Sequence, residues 1–200
     1  MSIRLSLVHI LLSIQIISCG SSPLGAQGSR TLRYTVTDLS SAGEIGSTAK
    51  AINSKGEVVG ISRDAGFIER VFLYTGSRVQ YIRTLAGSDV FSDSSSPLGI
   101  NDYGDIVGHT NSIGSFLYRS GDLRILDGNA FSINNSGQVV GMAYGRAFIY
   151  TEQDGVKDLG IPQVSGATAI NSFGDITGFY RTKIGNDPPS PSRPFLNYDC

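Results

Sequence analysis

From Tyr34 onward, apolar positions come in short runs bounded by glycine and asparagine, and the runs recur in a fixed order. The stretch AINSKGEVVG, Ala51 to Gly60, has gap-free counterparts in GINDYGDIVG from Gly99, SINNSGQVVG from Ser132 and AINSFGDITG from Ala169. Short apolar runs between turn residues predict strands rather than helices. Each copy reads Ile-Asn, two variable residues, Gly, and a second Gly four positions on. An asparagine opening a type I turn can bond its side chain to the backbone two residues later. A glycine at the fourth position can take the left-handed conformation that a G1 bulge needs. The pairs Asn53 and Gly56, Asn101 and Gly104, Asn134 and Gly137, and Asn171 and Gly174 are therefore predicted as structural hairpin turns. The second glycines, Gly60, Gly108, Gly141 and Gly178, predict a bulge or a close backbone approach.

A second apolar run follows each hairpin: VFLY from Val71, SFLY from Ser115, AFIY from Ala147 and PFLNY from Pro194, aligned on Phe72, Phe116, Phe148 and Phe195. After three of them comes a turn and a fourth strand, RVQYIRTL from Arg78, DLRILDG from Asp122 and VKDLG from Val156. Each unit thus reads as four strands, A to D. The turn asparagines are 48, 33 and 37 residues apart, and such unevenness in loop length is usual in repeat arrays. After PFLNYDC no D strand remains for the last unit, but YTVTDLS, Tyr34 to Ser40, precedes the first A strand, and its VTDL matches VKDL. An N-terminal D strand added to a C-terminal A-B-C trio closes a ring, as β-propellers do to remove exposed edges. Small residues such as Ala49, Ala51, Gly99, Ala130, Ala167 and Ala169 suit inner strands crowded at an axis, and Ile52, Ile100, Ile133 and Ile170 are expected between blades. The expectation is an all-β single domain over residues 32–200, a four-bladed β-propeller of four-stranded repeats closed three-plus-one by the N-terminal strand. The alternative is an open β-repeat arc or solenoid, which leaves two terminal faces uncovered.

The N-terminus changes the setting. In MSIRLSLVHILLSIQIISCGSS, Arg4 supplies a positive charge and Leu5 to Ile17 an apolar run too short to span permanently, which is the pattern of an export signal. Its end, IISC, Ile16 to Cys19, resembles the lipobox of bacterial lipoproteins. That resemblance implies residues 1–19 as signal peptide, lipidation of Cys19 and a flexible tether over residues 20–31. The alternative is cleavage after Ala26 and release of a soluble protein. Either places the domain outside the cytoplasm. Cys19 and Cys200 are the only cysteines, so there is no disulfide framework.

The segment INNSGQVVG…RAFIYTEQDGVKDLG, Ile133 to Gly160, resembles the HAF repeat family of extracellular proteins, and the likeness extends over Tyr34 to Tyr198. The resemblance implies export and a repeat fold, and no catalytic residues. The histidine typical of those repeats is replaced here: two positions before each phenylalanine stand Arg70, Gly114, Arg146 and Arg193.

Composition narrows the function. Charged residues make up 16% of the 200-residue chain, hydrophobic ones 40%, and the net charge is -1 with no basic stripe, which argues against nucleic-acid binding. His109, placed just after the second B strand, has no visible partner set for base or metal chemistry. No nucleophile-elbow, zinc-protease or phosphate-loop motif occurs. NDYGD, Asn101 to Asp105, lacks the alternating ligands and closing glutamate of a calcium loop. Two unlike loops remain as candidate ligand hosts or as plain solvated connections: GSDVFSDSSS with Asp89 and Asp93, and RTKIGNDPPSPSR, Arg181 to Arg193, which suits a polyproline arm. Catalytic, cofactor-binding and metal residues are expected to be none, and no cofactor is expected.

The function expected is that of an exported, non-enzymatic surface binding or interaction module, a lipid-anchored monomer with an unidentified extracellular or envelope partner. Its working parts would be the unlike loops and the axis. The alternatives are an extracellular enzyme acting on glycans or esters at the axial pocket, and a structural or truncated repeat protein without a dedicated ligand.

Overall fold

The computed structural model describes residues 36–39, 44–82, 96–110, 114–161, 164–182 and 191–197. The chain divides into Met1–Thr37, of which only Val36 and Thr37 are described, and Asp38–Cys200, which holds every described strand. The protein is all-β: four antiparallel sheets of three or four strands, one per sequence unit.

Each sheet is a meander in chain order. The first contains β1 (Glu44–Ile52), β2 (Val58–Asp64), β3 (Glu69–Tyr74) and β4 (Val79–Tyr81). The second contains β5 (Ser96–Ile100), β6 (Ile106–Thr110), β7 (Gly114–Arg119) and β8 (Asp122–Leu126). The third contains β9 (Asn129–Ile133), β10 (Val139–Ala143), β11 (Arg146–Thr151) and β12 (Gly155–Asp158). The fourth has three described strands, β13 (Val164–Ile170), β14 (Ile176–Arg181) and β15 (Arg193–Asn197). Val36 to Leu39, the described part of the expected closing strand, carry no strand.

The repeat spacing has a packing cause. The second glycine of each motif lies opposite the phenylalanine of the next strand: Gly60 pairs with Phe72, Gly108 with Phe116, Gly141 with Phe148 and Gly178 with Phe195. A β-carbon on these glycines would come 2.6, 2.9, 2.8 and 2.7 Å from those rings. The ring therefore lies flat over bare backbone, and only glycine leaves it room. At or beside the same glycine the first hairpin slips register, for example between Ala49 and Ala51 and between Pro97 and Gly99. Each unit thus carries a bulge at this place, which bends the inner strand, and the first unit has a further register shift between Glu44 and Gly46.

Adjacent sheets pack through the first strand of one and the face of its predecessor. Ile100 joins Val59, Val71 and Phe116; Ile133 joins Val107, Leu117 and Phe148; Ile170 packs against Val140, Ala147 and Ala167. Burying each such side chain contributes about 1.5–3 kcal/mol. The outer face of the first sheet is not packed this way. Ile52, the counterpart of Ile100 and Ile133, is 67% exposed, against 8% and 7% for those two. Hollows of about 330 and 340 Å³ lie one on each terminal sheet, the first beside Ile45, Thr48 and Ile61, the second beside Ala169, Thr177 and Leu196.

Candidate binding mouth at the repeated turns

The turn asparagines first satisfy their own loops. Asn101 Oδ1 accepts from the backbone N–H of Tyr103 at 3.0 Å and of Asp105 at 2.9 Å. Its Nδ2 donates to Asp105 Oδ2 at 3.0 Å. The other three units repeat this with Glu57, Gln138 and Asp175 as the carboxylate or amide acceptor. The fourth-position glycines stand at φ 77°, 77°, 73° and 93°, the left-handed region where a β-carbon is costly.

The same amides then join one unit to the next. Asn53 Nδ2 donates to the carbonyl of Asn101 at 3.0 Å, Asn101 to that of Asn134 at 3.1 Å, and Asn134 to that of Asn171 at 3.1 Å. Each receiving carbonyl also accepts the glycine N–H of its own turn, so both lone pairs are occupied. Asn101 and Asn134, in the middle of this ladder, are 3% and 5% exposed. With every polar group engaged, these asparagines are architecture.

The residue after each asparagine is different. Ser54 N–H donates to Asp102 Oδ1 at 2.8 Å, and Asp102 N–H donates to Asn135 Oδ1 at 2.9 Å. Asn135 Nδ2 returns a bond to Asp102 Oδ2 at 2.7 Å. Hydrogen bonding from Ser54, and next from Asn135, holds the Asp102 carboxyl below the usual aspartate value. This second ladder stops at Asn135. The N–H groups of Asn135 and Ser172 and the Ser172 hydroxyl have no partner among the described residues, and both residues are exposed.

All four turns line one open cavity of about 240 Å³, to which Ser54, Asp102, Asn135 and Ser172 contribute above a floor of Ile100, Ile133 and Ile170. Turns one and four, the farthest apart in the chain, both contribute to its lining. The next turn position carries Lys55, Tyr103, Ser136 and Phe173, and the two aromatic rings are 76% and 83% exposed.

A charged network braces the mouth from the side. Arg119 on β7 donates to Asp105 Oδ2 at 3.0 Å and reaches Glu152 at 3.6 Å. Glu152 is bound by Arg124 at 2.8 Å and by the Tyr150 hydroxyl at 2.9 Å. The hydrogen bond from Tyr150, then that from Arg124, depress the Glu152 carboxyl below its ordinary value. The Arg119 guanidinium also passes over turn three, 2.8 Å from where a β-carbon of Gly137 would stand.

Other sequence candidates do not join the mouth. His109 lies within β6, not after it, opposite Ser96 and Ser115, because strand pairing continues to Thr110. Its Nδ1 is buried without a partner among the described residues. NDYGD is the second turn itself. Among the described residues no three His, Cys, Asp or Glu side chains cluster as metal ligands. Asp89, Asp93, Cys19, Cys200 and most of the Arg181–Arg193 loop lie outside the described residues. Sequence reasoning treated Ser54, Asp102, Asn135 and Ser172 as variable turn residues. Their uniform polarity was the available signal.

The chain matches no protein-family model, no curated protein and no solved structure.

Proposed function

We propose that the chain is an exported, non-enzymatic β-repeat protein of the HAF-repeat kind that acts as a surface binding or interaction module, with the mouth at the repeated turns as its binding surface. The observation that carries this reading is that four turns from four units line one cavity, at which a carboxylate, a hydroxyl and backbone N–H groups without a partner among the described residues collect. A ring of similar turns with unlike second positions is a rigid scaffold presenting variable chemistry. The partner is an extracellular or envelope component, and lipid on Cys19 holds the protein beside it.

The proposal includes closure as a four-bladed propeller, with Tyr34 to Ser40 as the fourth strand of the last sheet. The shared mouth supports it, since the first and last turns both contribute to its lining. So does residue matching. On β12, Asp158 lies opposite Phe148 and accepts from Arg146 Nε at 2.9 Å. Arg193 and Phe195 occupy the corresponding places on β15, and Asp38 the place of Asp158. An open arc is the second reading, and the exposure of Ile52 favours it.

The test is photo-crosslinking in the protein's own host, with a benzophenone side chain at Lys55 on the mouth or at Ala65 in the hairpin at the other end of β2. Adducts with an envelope component are expected from position 55 alone. Equal labelling from both positions, or none from 55, removes the mouth as the binding surface.

A further inference from the structure

We infer that the mouth binds a neutral, hydroxyl-rich ligand, the terminal ring of a saccharide; this rests on the reading of the mouth as a binding surface. The polar groups decide the class. The Asp102 carboxylate takes the Ser54 N–H on one oxygen and Asn135 Nδ2 on the other, with the Ser54 hydroxyl also bonded to it, which leaves about one of a carboxylate's roughly four acceptor sites for a ligand. The N–H groups of Asn135 and Ser172 and the Ser172 hydroxyl stand without protein partners among the described residues. The site thus offers donors and acceptors together. A sugar hydroxyl uses both, giving its proton to the carboxylate and accepting from an N–H.

Charge excludes the competitors. Of the described residues that line the cavity Asp102 alone is charged, so an anion entering the mouth meets its carboxylate. No cluster of acidic ligands for a metal ion exists among the described residues.

The apolar requirement is met by Tyr103 and Phe173. They occupy the same position in turns two and four, immediately after the lining residues Asp102 and Ser172, with their rings in solvent. The repeated phenylalanines Phe72, Phe116 and Phe148 are sealed in the core and explain nothing at the surface. A sugar presents C–H faces that pack on exposed rings and hydroxyl edges that need polar partners. The cavity of about 240 Å³ falls below the roughly 300–1,000 Å³ of pockets for drug-sized ligands, which fits one ring rather than an enclosed chain.

The experiment probes protein purified from its own host on an array of neutral gluco-, galacto- and manno-oligosaccharides printed beside uronic-acid oligosaccharides. Wild type is compared with the double variant Tyr103→Ala/Phe173→Ala and with Asp102→Asn, and each melting temperature is checked. Binding to a neutral oligosaccharide is expected, weakened at least about ten-fold in the double variant with an unchanged melting temperature. Absence of neutral binding, preference for uronic acids, or equal binding by a folded double variant overturns the inference. An array without neutral binding, together with a protein adduct from position 55, removes the saccharide and keeps the binding module. If both measurements are negative, both fall.

Discussion

The three packed seams between neighbouring sheets and the outer face of the first sheet are built from the same motif and differ completely in environment. Ile133 and Ile52 hold equivalent positions, yet the first is 7% exposed and the second 67%. Asn101 and Asn134 give and take bonds along the ladder, whereas Asn53 only gives and Asn171 only takes. Each repeat supplies two halves of an interface, and in the asparagine ladder of the described residues the first and last repeats each use only one. In a repeat array stability therefore belongs to the joint between units as much as to the unit.

The largest effect should come from the isoleucines. Ile133→Ala should cost about 2–5 kcal/mol in urea unfolding. For Ile52→Ala the two readings part: about 2–5 kcal/mol if the ring closes over it as proposed, and within about 0.5 kcal/mol if the arc is open and the side chain stays 67% exposed. If Ile52→Ala costs as much as Ile133→Ala, the outer face of the first sheet is packed in solution and the ring is closed. The asparagines come next. Asn101→Ala strips donors from buried groups and should cost about 1–3 kcal/mol, with Asn171→Ala clearly milder because it sits at the end of the ladder. Equal costs would mean that the contacts between units add nothing beyond the turn itself.

Turn glycines give a smaller contrast. Gly56→Ala meets only the left-handed backbone, an expected cost of about 1 kcal/mol, since no atom lies within 4 Å of the added carbon. Gly137→Ala has the same backbone and must also displace Arg119 from its bond to Asp105, so its melting temperature should fall further. The smallest effect is on acid stability. Asp102, Glu152 and Asp158 have depressed folded-state pKa values, Asp158 chiefly through Arg146. A depressed carboxylate stabilises above its unfolded pKa and loses that contribution as pH falls through its folded value, so the loss lies below about pH 4. Asp102→Asn should flatten that acid limb slightly, lowering the neutral plateau by the same small amount and leaving the acid end in place.

The strands and turns were legible because their causes are local. Asn134 and Gly137 announce a turn by their own backbone preferences, and Phe148 announces a strand. Lateral facts were not legible. Nothing in Ile52 distinguishes it from Ile133, since burial depends on a neighbour many residues away. The ladder was hidden for the same reason: its bonds join residues 48, 33 and 37 apart. Asp102 read as one variable turn residue because its partners, Ser54 and Asn135, belong to other units. His109 was set one position outside β6 because strand ends carry no sharp signal where Thr110 still pairs with Gly114.

The asparagine ladder has a direction, and direction makes the unit portable. Every bond runs from a side chain to the main chain of the following copy, so what this ladder requires of the successor is only a correctly folded turn. A tandem duplication of one segment satisfies that requirement at once, without a compensating substitution elsewhere. Second turn positions are then free to diverge copy by copy, as Ser54, Asp102, Asn135 and Ser172 have done, while the coupling that holds the copies in line stays the same.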